Sequence, residues 1–219
     1  MTGERITIRY AGRTDAGVHA EGQVIAFETR RELDERSVLA GLNANLPPTI
    51  VAWEATAVEP GYDPRRRALS RRYRYQIEHR PWPTPFLRRY SWHVREALDI
   101  AAMHRAAQAL VGEHDFAAFA HRSGVAVGST VRRVTWIAVR RTEDQVRVEI
   151  EANAFLPHMV RNIVGTLVWI GRGRLGENEL PRILASRDRR RAGPAAPGHG
   201  LFLVQVRYPD DPEAVGEKE

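Results

Sequence analysis

The stretch "RRYRYQIEH" (residues 71–79) sets the frame for the rest of the chain. Tyr73, Tyr75 and Ile77 alternate with Arg72, Arg74 and Gln76, the period of a strand with one apolar and one polar face. Toward the C-terminus the next signal is helical. Asp99 stands as an N-cap, Leu98 and Met103 flank it as a hydrophobic staple, and the helix runs through Leu110 to a stop at Gly112. Two alternating runs follow, at 130–141 and 145–155. The segment "HMVRNIVGTLVWIG" (158–171) after Pro157 reads as a second helix, a short helix spans about 177–185, and a last strand runs from Leu201 to Tyr208. Strand, helix, strand, strand, helix, strand is the split βαβ, or ferredoxin-like, order.

Toward the N-terminus the same order recurs in part. Ile6 to Tyr10 and Gln23 to Thr29 alternate as strands, Glu35 to Asn45 reads as a helix, and Thr49 to Val58 as a further strand. An opening strand and helix would complete the copy. The expected architecture is α+β: two ferredoxin-like halves with antiparallel sheets flanking a basic cleft, divided at 1–64 and 65–219, the first incomplete at its start. Because the first strand of such a unit is central, its absence predicts unpaired edges and an uncovered apolar face.

With 219 residues and 43% hydrophobic content, the chain can bury a core as one domain or two small ones. Lys and Arg number 33 against 27 acids, a net charge of +6 that suits a polyanionic partner. No cysteine is present, which excludes disulfides, thiolate catalysis and cysteine zinc sites. No early apolar run resembles a signal peptide, and no stretch approaches the roughly 20 apolar residues of a membrane helix. The chain reads as cytoplasmic.

Between the first two strands the chain turns through Gly12, Arg13, Thr14, Asp15, Ala16 and Gly17, displaying Asp15 at the tip of a two-stranded unit. Here "GRTDAGVHA" (12–20) followed by "GQVIAFET" (22–29) resembles the signature loop of the tRNA pseudouridine synthase A family. The resemblance continues in order through "LNANLP", "ALSRRYRYQI", "GEHDFAAF", "ANAFLPHMVRNIVG" and "AGPAAPGHGLFLVQVRYP". Family members normally carry an opening strand and helix before this loop, and here only residues 1–5 stand in that place. The resemblance implies isomerisation of uridine to pseudouridine in the anticodon arm of tRNA, without cofactor or metal, by a homodimer whose tRNA spans both subunits.

By resemblance Asp15 is the catalytic carboxylate, suited to attack ribose C1′ or uracil C6, or to stabilise an electron-poor sugar. Arg161 lies on a helix apolar nearly all round, so its guanidinium is either buried, needing a carboxylate to offset its desolvation, or snorkels from the first turn to solvent. The family match places it beside Asp15. Tyr73 is implied to set its ring against the flipped uracil, with its hydroxyl available at C5, whereas Tyr75 reads as core. Arg13 is implied to hold the distorted RNA backbone. His19 reads as structural or RNA-contacting, since no second ligand stands at metal spacing. Arg65, Arg66, Arg67, Arg71, Arg72 and Arg74 form one basic cluster, with Arg71, Arg72 and Arg74 flanking Tyr73 as phosphate contacts. Arg187, Arg189, Arg190 and Arg191 form a second, readable as a solvated face.

Two other readings compete with the synthase. One is a catalytically silent RNA-binding fragment of the same family. The other, a carboxylate-based sugar hydrolase, needs a second acid near Asp15, for which Glu21 is the only nearby candidate.

Overall fold

The computed structural model describes residues 2–121 and 128–209. In chain order the strands are β1 (Arg9–Tyr10), β2 (His19–Ala20), β3 (Ile25–Ala26), β4 (Ser70–Glu78), β5 (Trp92–His93), β6 (Gly112–Asp115), β7 (Val131–Thr142), β8 (Gln145–Ala152) and β9 (Leu201–Arg207). The helices are α1 (Glu35–Asn45), α2 (Pro64–Arg67), α3 (Ile100–Gln108), α4 (Met159–Gly171) and α5 (Glu179–Ser186). They form two compact units, one of residues 1–12 and 24–67, the other of residues 13–23 and 68–219.

The second unit is the ferredoxin-like one. Its sheet runs β2-β9-β4-β8-β7-β6, with β5 beside β4. Within it the split βαβ strands lie in the order last, first, third, second, and every pair among them is antiparallel. Tyr75, Ile77, Val146, Val148, Ile150 and Leu201 face one side and bury against Met103, Ala107, Ile163 and Leu167 of the two crossover helices. Every residue of α4 except Arg161 and Trp169 is buried, as its all-round apolar pattern requires. Asp99 caps α3, accepting from the Ala102 N–H at 2.8 Å.

Two boundaries differ from expectation. Helix α3 stops at Gln108 because Ala109 and Leu110 tighten into i→i+3 bonds to Ala106 and Ala107. Gly112, at φ +109, therefore opens β6 instead of capping the helix. Strand β8 ends at Ala152, where the Asn153 side chain accepts from Arg133 N–H at 3.0 Å and Ala154 N–H at 2.9 Å and so closes the ladder.

The first unit is thinner. Its ladder is two residues long on each side, Arg9 opposite Ala26 and Tyr10 opposite Ile25. Helix α1 matches its expected span and is capped by Asp34, which accepts from Ser37 N–H at 2.7 Å, yet none of its residues is buried. Residues 49–58 do not form the expected strand. A strand needs a partner for its backbone, and among the described residues no strand lies alongside. The Asn43 side-chain amide substitutes at one position, accepting from Ala52 N–H at 2.8 Å and donating to Ala52 O at 2.9 Å. Ile50, Val51, Trp53 and Val58 are left exposed.

The loop bearing Asp15 lies apart from the strands that flank it in sequence. Residues 13–23 pack with the second unit, because His19 and Ala20 extend its sheet in parallel with Phe202 and Leu203 of β9. Glu21 and Gly22 N–H groups donate to Leu203 O at 2.8 and 3.2 Å. What reads in sequence as one hairpin is a β1–β3 ladder interrupted by this excursion.

Candidate active site

The Asp15 turn is closed by Val18 N–H donating to Asp15 O at 3.0 Å, with Gly17 at φ +77. That left-handed value at the third turn position is one glycine takes without a clash. The carboxylate it presents is one-third exposed and meets α4 directly: Arg161 Nη1 donates to Asp15 Oδ2 at 3.0 Å. The two residues lie 146 positions apart in sequence. A cation in the first turn of a helix sits at the positive end of its macrodipole, so the Asp15 carboxylate compensates both that repulsion and the partial burial of the guanidinium.

Arg161 is clamped from the other side as well. Its Nε donates to Ala196 O at 2.8 Å, and its own carbonyl accepts from Ala196 N–H at 3.0 Å. The segment around Ala196 is bolted to α4 one turn later, where Gly193 N–H donates to Thr166 Oγ1 at 2.9 Å. Contact there is so close that a β-carbon on Gly165 would fall 1.7 Å from Pro194 O. The same segment reaches the Asp15 turn, where a β-carbon on Gly198 would lie 2.8 Å from Ala16 O. Tyr75, the core tyrosine, donates its hydroxyl to Pro197 O at 2.8 Å and holds the segment to the sheet.

Tyr73 packs edge-on against Phe155 with ring centroids 5.0 Å apart. Among the described residues its hydroxyl makes no hydrogen bond. Burial pushes the phenol up to about 12; the Arg71 charge opposes that rise and the Asp15 carboxylate adds to it. Tyr73 is thus near enough to sense Asp15 and is neutral at physiological pH.

The arginines of β4 divide by face, as the two-residue period demands. Arg71 is on the Tyr73 side, buried, donating to Asn153 O at 2.9 Å. Arg72 and Arg74 project from the opposite face. Arg72 lies 3.8 Å from Glu149 and 4.8 Å over the Trp136 ring; Arg74 pairs with Glu21 and lies 5.3 Å over Phe202. Only Arg71 of the three therefore shares the face of the candidate site. Glu21, turned to Arg74, offers no second acid beside Asp15, which removes the feature the hydrolase reading needs. His19 is held in place: its Nε2 lies 2.8 Å from Arg89 O and its ring stacks on Phe202 at 4.8 Å. Arg13 is exposed and, among the described residues, makes no ion pair or hydrogen bond. In the basic clusters Arg67 pairs with Glu59, Arg187 lies 2.9 Å from Asp115, and Arg190 lies 2.9 Å from Asp188.

One neighbour of Asp15 escaped the sequence reading. His158, the residue before α4, places Nε2 3.3 Å from Asp15 Oδ2. Its left-handed backbone has no signature in sequence, although its position three residues before Arg161 puts both side chains one helical turn apart.

A profile of the tRNA pseudouridine synthase family matches residues 106–209. The chain is 43% identical over 215 residues to tRNA pseudouridine synthase A of Myxococcus xanthus, covering 98% of this chain and 81% of that protein. It is 48% identical to the Moorella thermoacetica enzyme of the same name, covering 95% and 84%, and 46% identical to the Chloroflexus aurantiacus one, covering 95% and 76%. The chain belongs to the tRNA pseudouridine synthase A family. Membership makes it an isomerase, and the ferredoxin-like order of its second unit agrees with the fold the resemblance implied. Among the described residues of this pseudouridine synthase family member, no helix is long and apolar enough to cross a membrane, and no three His, Asp or Glu side chains gather as a metal-binding group.

Proposed function

We propose that this chain converts uridine to pseudouridine in the anticodon stem-loop of tRNA, with Asp15 as the reacting carboxylate. The observation that carries the reading is the 3.0 Å contact of Arg161 with Asp15, made inside a chain of this family. Isomerisation requires that the ribose C1′–N1 bond break, that the uracil turn, and that C1′ rejoin at C5. A carboxylate can open the sequence by attack on C1′, releasing uracil as an anion, or by addition to C6. Both routes end alike: the C5 proton leaves to solvent, N1 regains a proton, the carboxylate is restored, and no atom is gained or lost.

The geometry supports a division of labour. Arg161, fixed by Ala196, holds the Asp15 carboxylate in place through the 3.0 Å contact. Tyr73, neutral with a free hydroxyl on an apolar platform, stacks on the extruded base and offers its oxygen for proton transfer at C5. Arg13, exposed two residues before Asp15, contacts the RNA backbone, and Arg71 supports the Tyr73 face. Arg72 and Arg74, on the other face of β4, serve the sheet rather than the site. Residues 1–64 and 65–219 are two half-repeats of one plan. The enzyme works in the cytoplasm as a homodimer.

The test uses tRNA transcript tritiated at uridine C5, with label counted in water. Release by the intact chain that disappears in Asp15→Ala, while the variant keeps its circular dichroism and binds tRNA, supports the proposal. No release from the intact chain, or undiminished release from Asp15→Ala, overturns it. Sequencing of the product tRNA locates the modified uridines; modification confined outside the anticodon arm would correct the substrate site.

A further inference from the structure

His158 occupies a backbone position that disfavours a histidine. Its φ of 62° and ψ of 1° are left-handed, a region where a β-carbon crowds the following carbonyl oxygen and where glycine or asparagine sits more easily. Such residues persist where their surroundings hold them in place, and they gather at functional sites. Here the surroundings are explicit: Met159 N–H donates to Leu156 O at 3.0 Å, and Asn162 N–H donates to His158 O at 2.9 Å. The outcome is an imidazole aimed at Asp15, with Nε2 3.3 Å from the same Oδ2 that Arg161 holds at 3.0 Å. The ring also meets that of His121 at 4.7 Å between centroids. Among the described residues, Asp15 Oδ1 accepts no hydrogen bond.

We infer that His158 is a positioning residue: from 3.3 Å its Nε2 turns onto Asp15 Oδ2 as a hydrogen-bond donor when uridine is bound and, with Arg161, leaves Oδ1 as the oxygen presented to the uridine. This rests on the reading of Asp15 as the reacting carboxylate. An oxygen already engaged by two donors is the poorer nucleophile, so fixing both donors on one side selects the other oxygen for attack. The left-handed turn is what lets the ring reach back toward Asp15 while the next residue starts the helix.

Most of the groups facing the ring favour its neutral form. The facing groups are Asp15 from the catalytic turn, Arg161 from α4, His121 from the segment before residue 122, and Arg189 from the 189–191 turn. Burial pushes the imidazole down from its ordinary value; Asp15 opposes this, and Arg161, His121 and Arg189 reinforce it. Neutral imidazole is therefore the form at physiological pH. As pH falls through the lowered value, a proton on His158 turns the hydrogen bond into an ion pair that binds the carboxylate more tightly and weakens it as a nucleophile. Turnover should fall on the acid side for that reason.

Two variants and one spectrum test the assignment. His158→Gly removes the imidazole and relieves the backbone, so its Tm should equal or exceed that of the parent while kcat falls on the order of tenfold with KM unchanged. His158→Gln restores an N–H donor that does not titrate; it should recover most of kcat at pH 8 and lose the acid limb. Wild-type kcat in His158→Gly, or an acid limb surviving in His158→Gln, overturns the assignment. Nitrogen-15 NMR of the imidazole should show the Nε2–H tautomer at pH 8, with a lower pKa still in Asp15→Asn, where the opposing charge is gone. An Nδ1–H tautomer, or a pKa indifferent to Asp15→Asn, overturns it equally. The spectrum needs no turnover, so an inactive parent chain would defeat the pseudouridine reading and leave the His158–Asp15 contact to be judged alone.

Discussion

Helix α1 in the first unit and helix α4 in the second make an instructive pair. Helix α1 has a well-formed aspartate cap and the span its sequence announces, yet buries nothing. Helix α4 has only a strained histidine before it and buries all but two of its residues. Local signals make a helix; a paired sheet makes a core. In the first unit the ladder is two residues deep and residues 49–58 lean on an asparagine side chain. In the second, eight residues of β7 pair with the eight of β8 across an antiparallel ribbon broken by one bulge between Val134 and Trp136, and two helices close over it. A carboxylate–guanidinium pair gains from a dry, rigid support, and only the second unit provides one. The chain accordingly sends residues 13–23 there.

The contrast can be broken most severely at the carboxylates. Asp15→Ala should cost at least about 10³-fold in kcat/KM, measured by tritium release. Glu28→Gln in the first unit, which removes an exposed pair with Arg9, should leave activity intact and shift stability by no more than about 0.5 kcal/mol. A next-largest difference belongs to the cores. Leu167→Ala in α4 should destabilise by about 3 kcal/mol in urea unfolding, whereas Trp53→Ala, at a side chain 84% exposed, should fall within about 0.5 kcal/mol. Equal costs would mean the first unit has a core the structure does not show.

Tyr73→Phe sharpens the comparison within the second unit. Losing the hydroxyl should slow turnover about 10²-fold with little change in RNA affinity, since the ring still stacks. The same variant has a signature in stability. The phenol's folded value of about 12 lies above its ordinary 10.0, so above pH 10 the unfolded chain releases this proton while the folded one keeps it. Stability then falls as pH rises toward 12, by up to roughly 1.4 kcal/mol per pH unit from this group. In Tyr73→Phe that part of the alkaline slope should vanish.

Much of the second unit was legible because its signals are redundant: alternation in β4, the Asp99 cap and the apolar girth of α4 each name the same element. Arg161 could be singled out on physical grounds, being the one charge on an otherwise apolar helix. The misses share a cause. Alternation in 49–58 is real, but whether it becomes a strand depends on a neighbour that local pattern cannot supply. The reach of residues 13–23 to β9 and the left-handed turn at His158 are tertiary facts with no local trace.

The pairing of β2 with β9 sets a timetable for biosynthesis. His19 leaves the ribosome well before its partner Phe202. Asp15 precedes Arg161 by 146 positions, an interval on the order of ten seconds at ~5–20 residues per second. Throughout that time the nascent polypeptide carries an acid with no guanidinium and a turn with no sheet to dock on. Competence is thereby deferred until residues 201–207 have been made, and a product lacking them should be unable to process RNA however well its earlier helices form.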